Sequence, residues 1–203
     1  DIIHTDEFVK DDEDSAFMGA KNKKTSMWLA VESVKNKESN IVISAGNTGA
    51  LFVIAKLNIE MIDKIDKPAL SGLWPNKVGM NVVLDLGANI ECNEQNLIDF
   101  AELGSALFKS LFPNEKPKVS LLNVGSEEIK GTELLKATSK RLKDLSSEEN
   151  FIYKGYVEGN NIMSGESNVI VTDGFTGNIA LKTAEGTAKF ITQNLKKSLT
   201  KNI

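Results

Sequence analysis

One recurring unit constrains this chain more than any other feature. A short apolar run leads into a turn rich in glycine and asparagine, and a segment with helical periodicity follows. Parallel strands need a crossover between them, and a helix is the usual crossover. The alternation therefore predicts an α/β fold with a mixed, mostly parallel sheet covered by helices. The expected strands are Ile41–Ile43, Pro68–Trp74, Asn81–Leu86, Lys118–Asn123, Phe151–Tyr153 and Asn168–Thr172, with a further strand-like run at 1–5. Only the turn through Pro75, Asn76 and Lys77 separates the second and third of these, too little for a crossover helix, so they are expected to pair antiparallel.

The expected helices follow the same logic. Thr25 or Ser26 caps the first. The second runs from about Ala50 to Met61 and is apolar over most of its circumference, which predicts packing between layers. A third, from about Gln95 to Leu111, places Leu97, Ala101, Ser105 and Phe108 on one face. Leu134, Thr138, Leu142 and Leu145 mark a fourth, and Ala180, Ala184, Ala188, Ile191 and Leu195 a fifth. Residues 146–150 read as a solvated helix-to-strand turn, and no linker divides the chain.

Composition excludes several chemistries. Cys92 is the only cysteine and His4 the only histidine, so a disulfide scaffold, a Cys-rich metal site and a multi-histidine zinc site are not expected. Cys92 lacks a histidine nearby in sequence to activate it and reads as structural. A net charge of -4, with no interleaved aromatic and basic residues, argues against a nucleic-acid surface. The first residues are acidic rather than basic and then apolar, and no run is long enough to span a bilayer, so a cytoplasmic location is the default. The chain does not begin with Met, opens in a strand-like run and stops in or just after a helix. Both ends are expected to be cuts through a larger protein.

Four turns share one chemistry. They are Ser44-Ala45-Gly46-Asn47-Thr48-Gly49, Asp85-Leu86-Gly87-Ala88-Asn89, Asn123-Val124-Gly125-Ser126-Glu127-Glu128 and Thr172-Asp173-Gly174-Phe175-Thr176-Gly177-Asn178. Glycine lets main-chain N–H groups approach an anion, and a helix N-terminus adds donors and a positive dipole end. The carboxyl ends of parallel strands form the crevice where ligands bind in such folds. The competing reading is that each glycine only lets the chain turn. None of the four is a Walker A loop or a Gly-x-Gly-x-x-Gly fingerprint, so no nucleotide cofactor is suggested. Lys130, just after the third turn, and Lys24, at the first helix start, are candidate phosphate-facing cations, with solvated surface as the alternative for each. Asp85 and Asp173 stand where their strands end and could orient a neighbour, cap a helix or bind a metal, although two aspartates alone are weak support for metal. Glu127 and Glu128 would repel phosphate unless paired or turned outward. The 11–14 acidic run and Lys21 and Lys23 read most simply as solvated.

These motifs, taken in order, resemble the PlsX family, the phosphate acyltransferases of bacterial phospholipid synthesis. The resemblance covers nearly the whole chain. It runs from His4-Thr5 through Lys24-Thr25-Ser26-Met27 and the four turns, with Glu127-Glu128-Ile129-Lys130-Gly131 and Val157-Glu158-Gly159 between them. Trp28 and the Trp74-Pro75-Asn76 turn depart from the family pattern without removing a candidate group. On this resemblance residues 1–203 are an internal portion of a phosphate acyltransferase domain, lacking an N-terminal glycine-rich loop and a C-terminal glycine-rich segment that full-length members carry.

The resemblance implies acyl transfer from acyl-carrier protein to inorganic phosphate, giving acyl phosphate. It also implies the architecture shared by isocitrate/isopropylmalate dehydrogenases and phosphotransacetylases, usually as a homodimer, without a cofactor. Phosphate is itself a competent nucleophile, so the protein needs to align it, offset repulsion and stabilise the oxyanion. Lys130, Asn47, Asp85, Asp173 and Asn178 are the expected catalytic set, the aspartates as orienting groups. Lys24, Ser26, Ser44, Gly46, Thr48, Asn89, Gly125 and Gly177 are expected to bind phosphate or substrate, with Gly46, Gly125 and Gly177 giving main-chain N–H groups. The alternatives are acyl exchange with coenzyme A of the phosphotransacetylase kind and a non-catalytic anion-binding regulatory module. The apolar stripe of the last helix and Lys196, Lys197 and Lys201 at its end suggest a peripheral membrane contact, against ordinary packing on the sheet.

Overall fold

The expected alternation becomes a sheet only from Ser71 onward. A computed structural model describes residues 2–10, 22–146 and 151–200. Asp1, the 11–14 acidic run, Lys21, residues 147–150 and Lys201 lie outside the described residues. The chain divides into two compact units, Asp1–Pro68 and Ala69–Ile203, a division the absence of a composition break did not suggest.

The first unit is helical among its described residues. Helix α1 spans Ser26–Lys35 and α2 spans Thr48–Asn58. Thr25 rather than Ser26 is the α1 cap, its hydroxyl accepting from Trp28 N–H at 3.3 Å. Asn47 caps α2 by accepting from Ala50 N–H at 2.9 Å. Both caps satisfy donors that a helix start leaves unpaired. Met27, Trp28 and Val31 of α1 pack with Ala50 and Ile54 of α2. Two strand expectations fail here. Residues 2–5 form no strand, and neither does the Ile41–Ile43 run, where Ile41 is 73% and Ile43 88% exposed. A β-branched run becomes a strand only where a neighbouring edge can pair it, and no strand is described in this unit. Helix α2 is also shorter than expected, and it buries a stripe through Ala50, Ile54 and Asn58 while Leu57 stays exposed.

The second unit carries a five-stranded sheet: β1 Ser71–Pro75, β2 Met80–Leu84, β3 Lys118–Leu122, β4 Ile152–Val157 and β5 Val169–Val171. Their spatial order is β1-β2-β5-β3-β4. Strand β1 pairs antiparallel with β2, as the short turn requires, and the remaining pairs are parallel. Three α-helices are described in it: α3 Glu94–Leu111, α4 Glu133–Leu145 and α5 Gly174–Thr200.

Alternation along the strands sorts the core into two faces. Val82, Leu84, Val119, Leu121, Val169 and Val171 pack with Leu97, Phe100, Ala101 and Phe108 of α3 and Leu142 of α4. Val83, Ile170, Leu122 and Trp74 point the other way and meet Ala180, Leu181 and Ala184 of α5. Each fully buried aliphatic side chain contributes about 1.5–3 kcal/mol, so this two-sided core dominates the unit's stability. Gly104 lets α3 lie close to the sheet, since a β-carbon there would stand 2.7 Å from Val169 Cγ1 and 2.8 Å from Leu84 Cδ2. Helix α3 starts at a reciprocal capping box between Asn93 and Asn96.

The face-sorting ends partway along α5. Ala180 and Ala184 are half-buried, but Ile191, Leu195 and Leu199 are 58%, 57% and 65% exposed. Packing on the sheet therefore accounts for the first turns of this helix and not for its second half. No helix among the described residues is long and apolar enough to cross a membrane.

Candidate active site

Strands β2, β5 and β3 are adjacent and parallel, so the turns that leave them share one edge of the sheet. These are three of the four glycine-asparagine turns. The fourth, 44–49, follows no strand and belongs to the first unit, where it opens α2.

The β2 turn is organised by Asp85. Its buried carboxylate accepts five hydrogen bonds: from the N–H groups of Leu70, Gly87 and Ala88 at 3.1, 3.1 and 3.0 Å, and from Asn89 N–H and Nδ2, both at 2.7 Å. An ionised carboxylate can accept that many donors, and each charge-assisted bond is stronger than a neutral one. Asp85 thus holds the turn together, and Asn89 spends one side-chain donor on that carboxylate.

The β5 turn is locked against the β2 turn. Gly174 N–H donates to Asn89 carbonyl oxygen at 2.8 Å, and Asn178 Nδ2 donates to Leu86 carbonyl oxygen at 3.2 Å. A β-carbon at Gly174 would meet that Asn89 oxygen at 2.6 Å, and one at Gly177 would overlap the carbonyl oxygen of Asp85. Asp173 caps α5, accepting from Thr176 N–H at 2.8 Å and Thr176 Oγ1 at 2.9 Å. Gly177 N–H donates to the Asp173 carbonyl at 2.9 Å, so this glycine serves close approach rather than anion donation. The expectation of a free main-chain donor at Gly177 is corrected on that ground.

The β3 turn closes on Asn123. Its Oδ1 accepts from Val124 N–H at 2.9 Å and its Nδ2 donates to the Lys130 carbonyl at 3.2 Å. Lys130 N–H in turn donates to the Glu127 carbonyl at 3.0 Å, which fixes the Lys130 main chain on both sides while its side chain stays exposed. Gly131, at φ +91°, sits against the Asn123 amide in the left-handed region that favours glycine. Gly125 is buried in the turn and packs beside Glu127 and Lys130. Glu128 points outward to Lys143, whose ammonium holds its carboxyl below the usual range, first by the hydrogen bond and then by charge.

The remaining candidates lie in the first unit. Thr5 Oγ1 donates to Lys24 carbonyl oxygen at 2.7 Å and Ser26 N–H donates to Glu7 carbonyl oxygen at 2.9 Å, fixing the start of α1. Ser44 Oγ accepts from Gly46 N–H at 3.2 Å, so that donor is also engaged, and Gly46 lies against Met27. Thr48 is the first residue of α2, and Asn47 is its cap. Cys92 Sγ donates to Asn89 carbonyl oxygen at 3.7 Å and packs against the core, which fits its structural reading.

An apolar cleft of about 670 Å³ opens beside the β3 and β5 turns. Its lining is mostly apolar, including Leu97, Leu134 and Ile179, with the polar side chains of Asn123, Thr132, Asp173 and Thr176 among them. Asn123, Gly174, Gly131 and the cleft leucines were not singled out in the sequence. The signal for Asn123 was present, since it ends a strand and precedes a glycine turn as Asp85 does. Among the described residues no cluster of three or more His, Cys, Asp or Glu could hold a metal ion.

A mixed sheet of four parallel strands and one antiparallel edge strand, with glycine-asparagine turns at its carboxyl edge, defines an α/β fold. A phosphotransacetylase of the EutD type from Staphylococcus aureus shares this fold at a TM-score of 0.57 and 16% identity, over 80% of this chain and 56% of that one. The chain belongs to the family described as fatty acid synthesis protein, whose model matches residues 1–203. A phosphate acyltransferase of Pelagibacter ubique is 65% identical over 204 residues, covering all of this chain and 61% of that protein. A phosphate acyltransferase of Beijerinckia indica is 46% identical over 98% of this chain and 51% of its own length. The chain thus spans between half and two thirds of the length of these relatives.

Proposed function

We propose that the full-length protein transfers a fatty acyl group from acyl-carrier protein to inorganic phosphate, forming acyl phosphate for phospholipid synthesis, and that residues 1–203 are an internal portion of its catalytic domain. The observation that carries this reading is the meeting of the β2, β5 and β3 turns at one sheet edge, in a chain 65% identical over its whole length to a protein called phosphate acyltransferase.

In this reading a phosphate oxygen attacks the thioester carbonyl carbon and a C–O bond forms. The tetrahedral oxyanion collapses, the C–S bond breaks, and the carrier leaves as a thiolate. No serine, cysteine or histidine nucleophile is needed. Lys130 offsets phosphate charge, helped by the Gly125 N–H, and its fixed main chain limits what must be ordered on binding. Asp85 and Asp173 act as positioning residues, holding the turns and the α5 start through the bonds described above. Asn178 and Asn89 brace the two turns, and Asn178 can turn its second amide hydrogen to substrate. Within the first unit, this reading assigns phosphate or substrate contacts to Lys24, Ser26, Ser44, Asn47 and Thr48.

Acyl-carrier protein is the donor, the protein works as a homodimer in the cytoplasm, and the exposed Ile191, Leu195 and Leu199 stripe beside Lys196 and Lys197 makes peripheral contact with a membrane. The test is a comparison of long-chain acyl-carrier thioesters with acetyl-coenzyme A as donors to phosphate in the full-length protein. Preference for the carrier thioester is expected; preference for acetyl-coenzyme A would move the reading to short-chain exchange.

A further inference from the structure

We infer that the apolar cleft between α3, α4 and α5 holds the hydrocarbon chain of the acyl donor. This rests on the acyl-transfer reading and adds where the chain lies and what sets its length.

The cleft is mostly apolar, with a few polar side chains. Leu97, Leu134, Leu135 and Ile179 come from the three helices around it, and Asn123 and Asp173 from the turns at the carboxyl edge. A ligand matched to this pattern has a long apolar body and a single polar end, which describes an acyl thioester. The volume of about 670 Å³ falls within the range of small-molecule pockets, and its place beside the strand ends is where ligands bind in open α/β sheets. The cleft adjoins the proposed reaction site, since its lining residue Asn123 also fixes the Lys130 carbonyl. Ile179 is half-exposed on the first turns of α5, so a larger side chain there has room to project into the cleft without disturbing the core.

The experiment compares wild-type full-length protein with Ile179→Trp and Leu135→Trp. Acyl-carrier thioesters of graded length are used, with phosphate KM followed in parallel. In both variants kcat/KM for long chains falls at least tenfold more than for short chains, and phosphate KM moves less than twofold. An equal loss at every length, or an unchanged length profile, overturns the inference. A second measurement separates it from the parent reading. Calorimetric titration with a long-chain acyl thioether, which cannot react, shows binding in the wild type and at least tenfold weaker binding in Ile179→Trp. Failure of the parent reading alone would leave that binding intact without acyl-phosphate formation. Absent or unaltered thioether binding, as when another segment of the full-length protein fills the cleft, rejects the inference itself.

Discussion

A β-carbon added at Gly177 would overlap the main-chain carbonyl oxygen of Asp85. Two turns ninety-odd residues apart in sequence therefore meet with no space between them, and the contact is main chain against main chain. Gly177→Ala must push the α5 start away from the β2 turn and stretch the Gly174–Asn89 and Asn178–Leu86 hydrogen bonds. The expected cost is about 3 kcal/mol, the upper part of the overpacking range, read as a lower urea midpoint at unchanged m-value.

Asp85→Asn tests whether the β2 turn depends on a carboxylate. The amide offers one acceptor oxygen and turns an NH₂ group toward donors, so either the Asn89 pair or the Leu70, Gly87 and Ala88 set loses its acceptor. Destabilisation of about 3 kcal/mol is expected in urea unfolding, because buried donors are left unpaired. An effect under about 0.5 kcal/mol would mean that the turn is held by its main chain alone.

Tyr153 gives the second unit a pH-sensitive component. Burial pushes its phenol well above the ordinary value of 10.0, opposed in part by its hydrogen bond with the Ser139 hydroxyl at 2.9 Å, which can also donate to the phenolate. The folded state keeps the neutral phenol while the unfolded chain ionises near its ordinary value. The contribution is therefore complete below about pH 10 and is lost as pH rises beyond it toward the folded value. Tyr153→Phe should cost about 1 kcal/mol near neutrality through the lost hydrogen bond. It should also flatten the decline in stability between pH 10 and 11, measured by urea unfolding at each pH.

Asn123→Ala should release the Lys130 carbonyl and loosen the turn that presents the lysine. Phosphate KM is expected to rise several-fold while the wild-type dependence on acyl-chain length is retained. Asn123→Asp keeps the oxygen that accepts from Val124 but cannot donate to Lys130, so it should resemble the alanine variant in KM. Recovery of wild-type KM by Asp would assign the role to the Val124 bond instead.

The second unit was largely legible in the sequence because its strands carry both signals at once, apolar runs and a periodic helix between them. The antiparallel β1–β2 pair followed from the shortness of one turn, and the faces of α3 and α4 followed from the Leu97 and Thr138 stripes. Ile41–Ile43 had the same composition as a strand and is not one. Composition records what a pleated edge would accept; it does not record whether an edge is there. Three of the four turns were legible as a set, but their inner division of labour was not. Nothing in local sequence distinguishes a glycine that frees an N–H from one, like Gly177, that admits a neighbouring carbonyl. That distinction depends on a contact with Asp85, far away in the chain. The cleft was hidden for the same reason, since Leu97 and Leu134 read as ordinary helix stripes and Ile179 fell outside the stripe of its helix, until three helices placed them around one space.

The most direct test of the account measures free carrier thiol released from a long-chain acyl-carrier thioester by the full-length protein, with and without inorganic phosphate. Direct attack predicts no release without phosphate, and with phosphate one thiol for each acyl phosphate, with Lys130→Ala slowing both together at unchanged folded yield. A burst of thiol equal to the enzyme concentration in the absence of phosphate would signal an acyl-enzyme and contradict the mechanism. Release with phosphate but no acyl phosphate would contradict the proposed function itself.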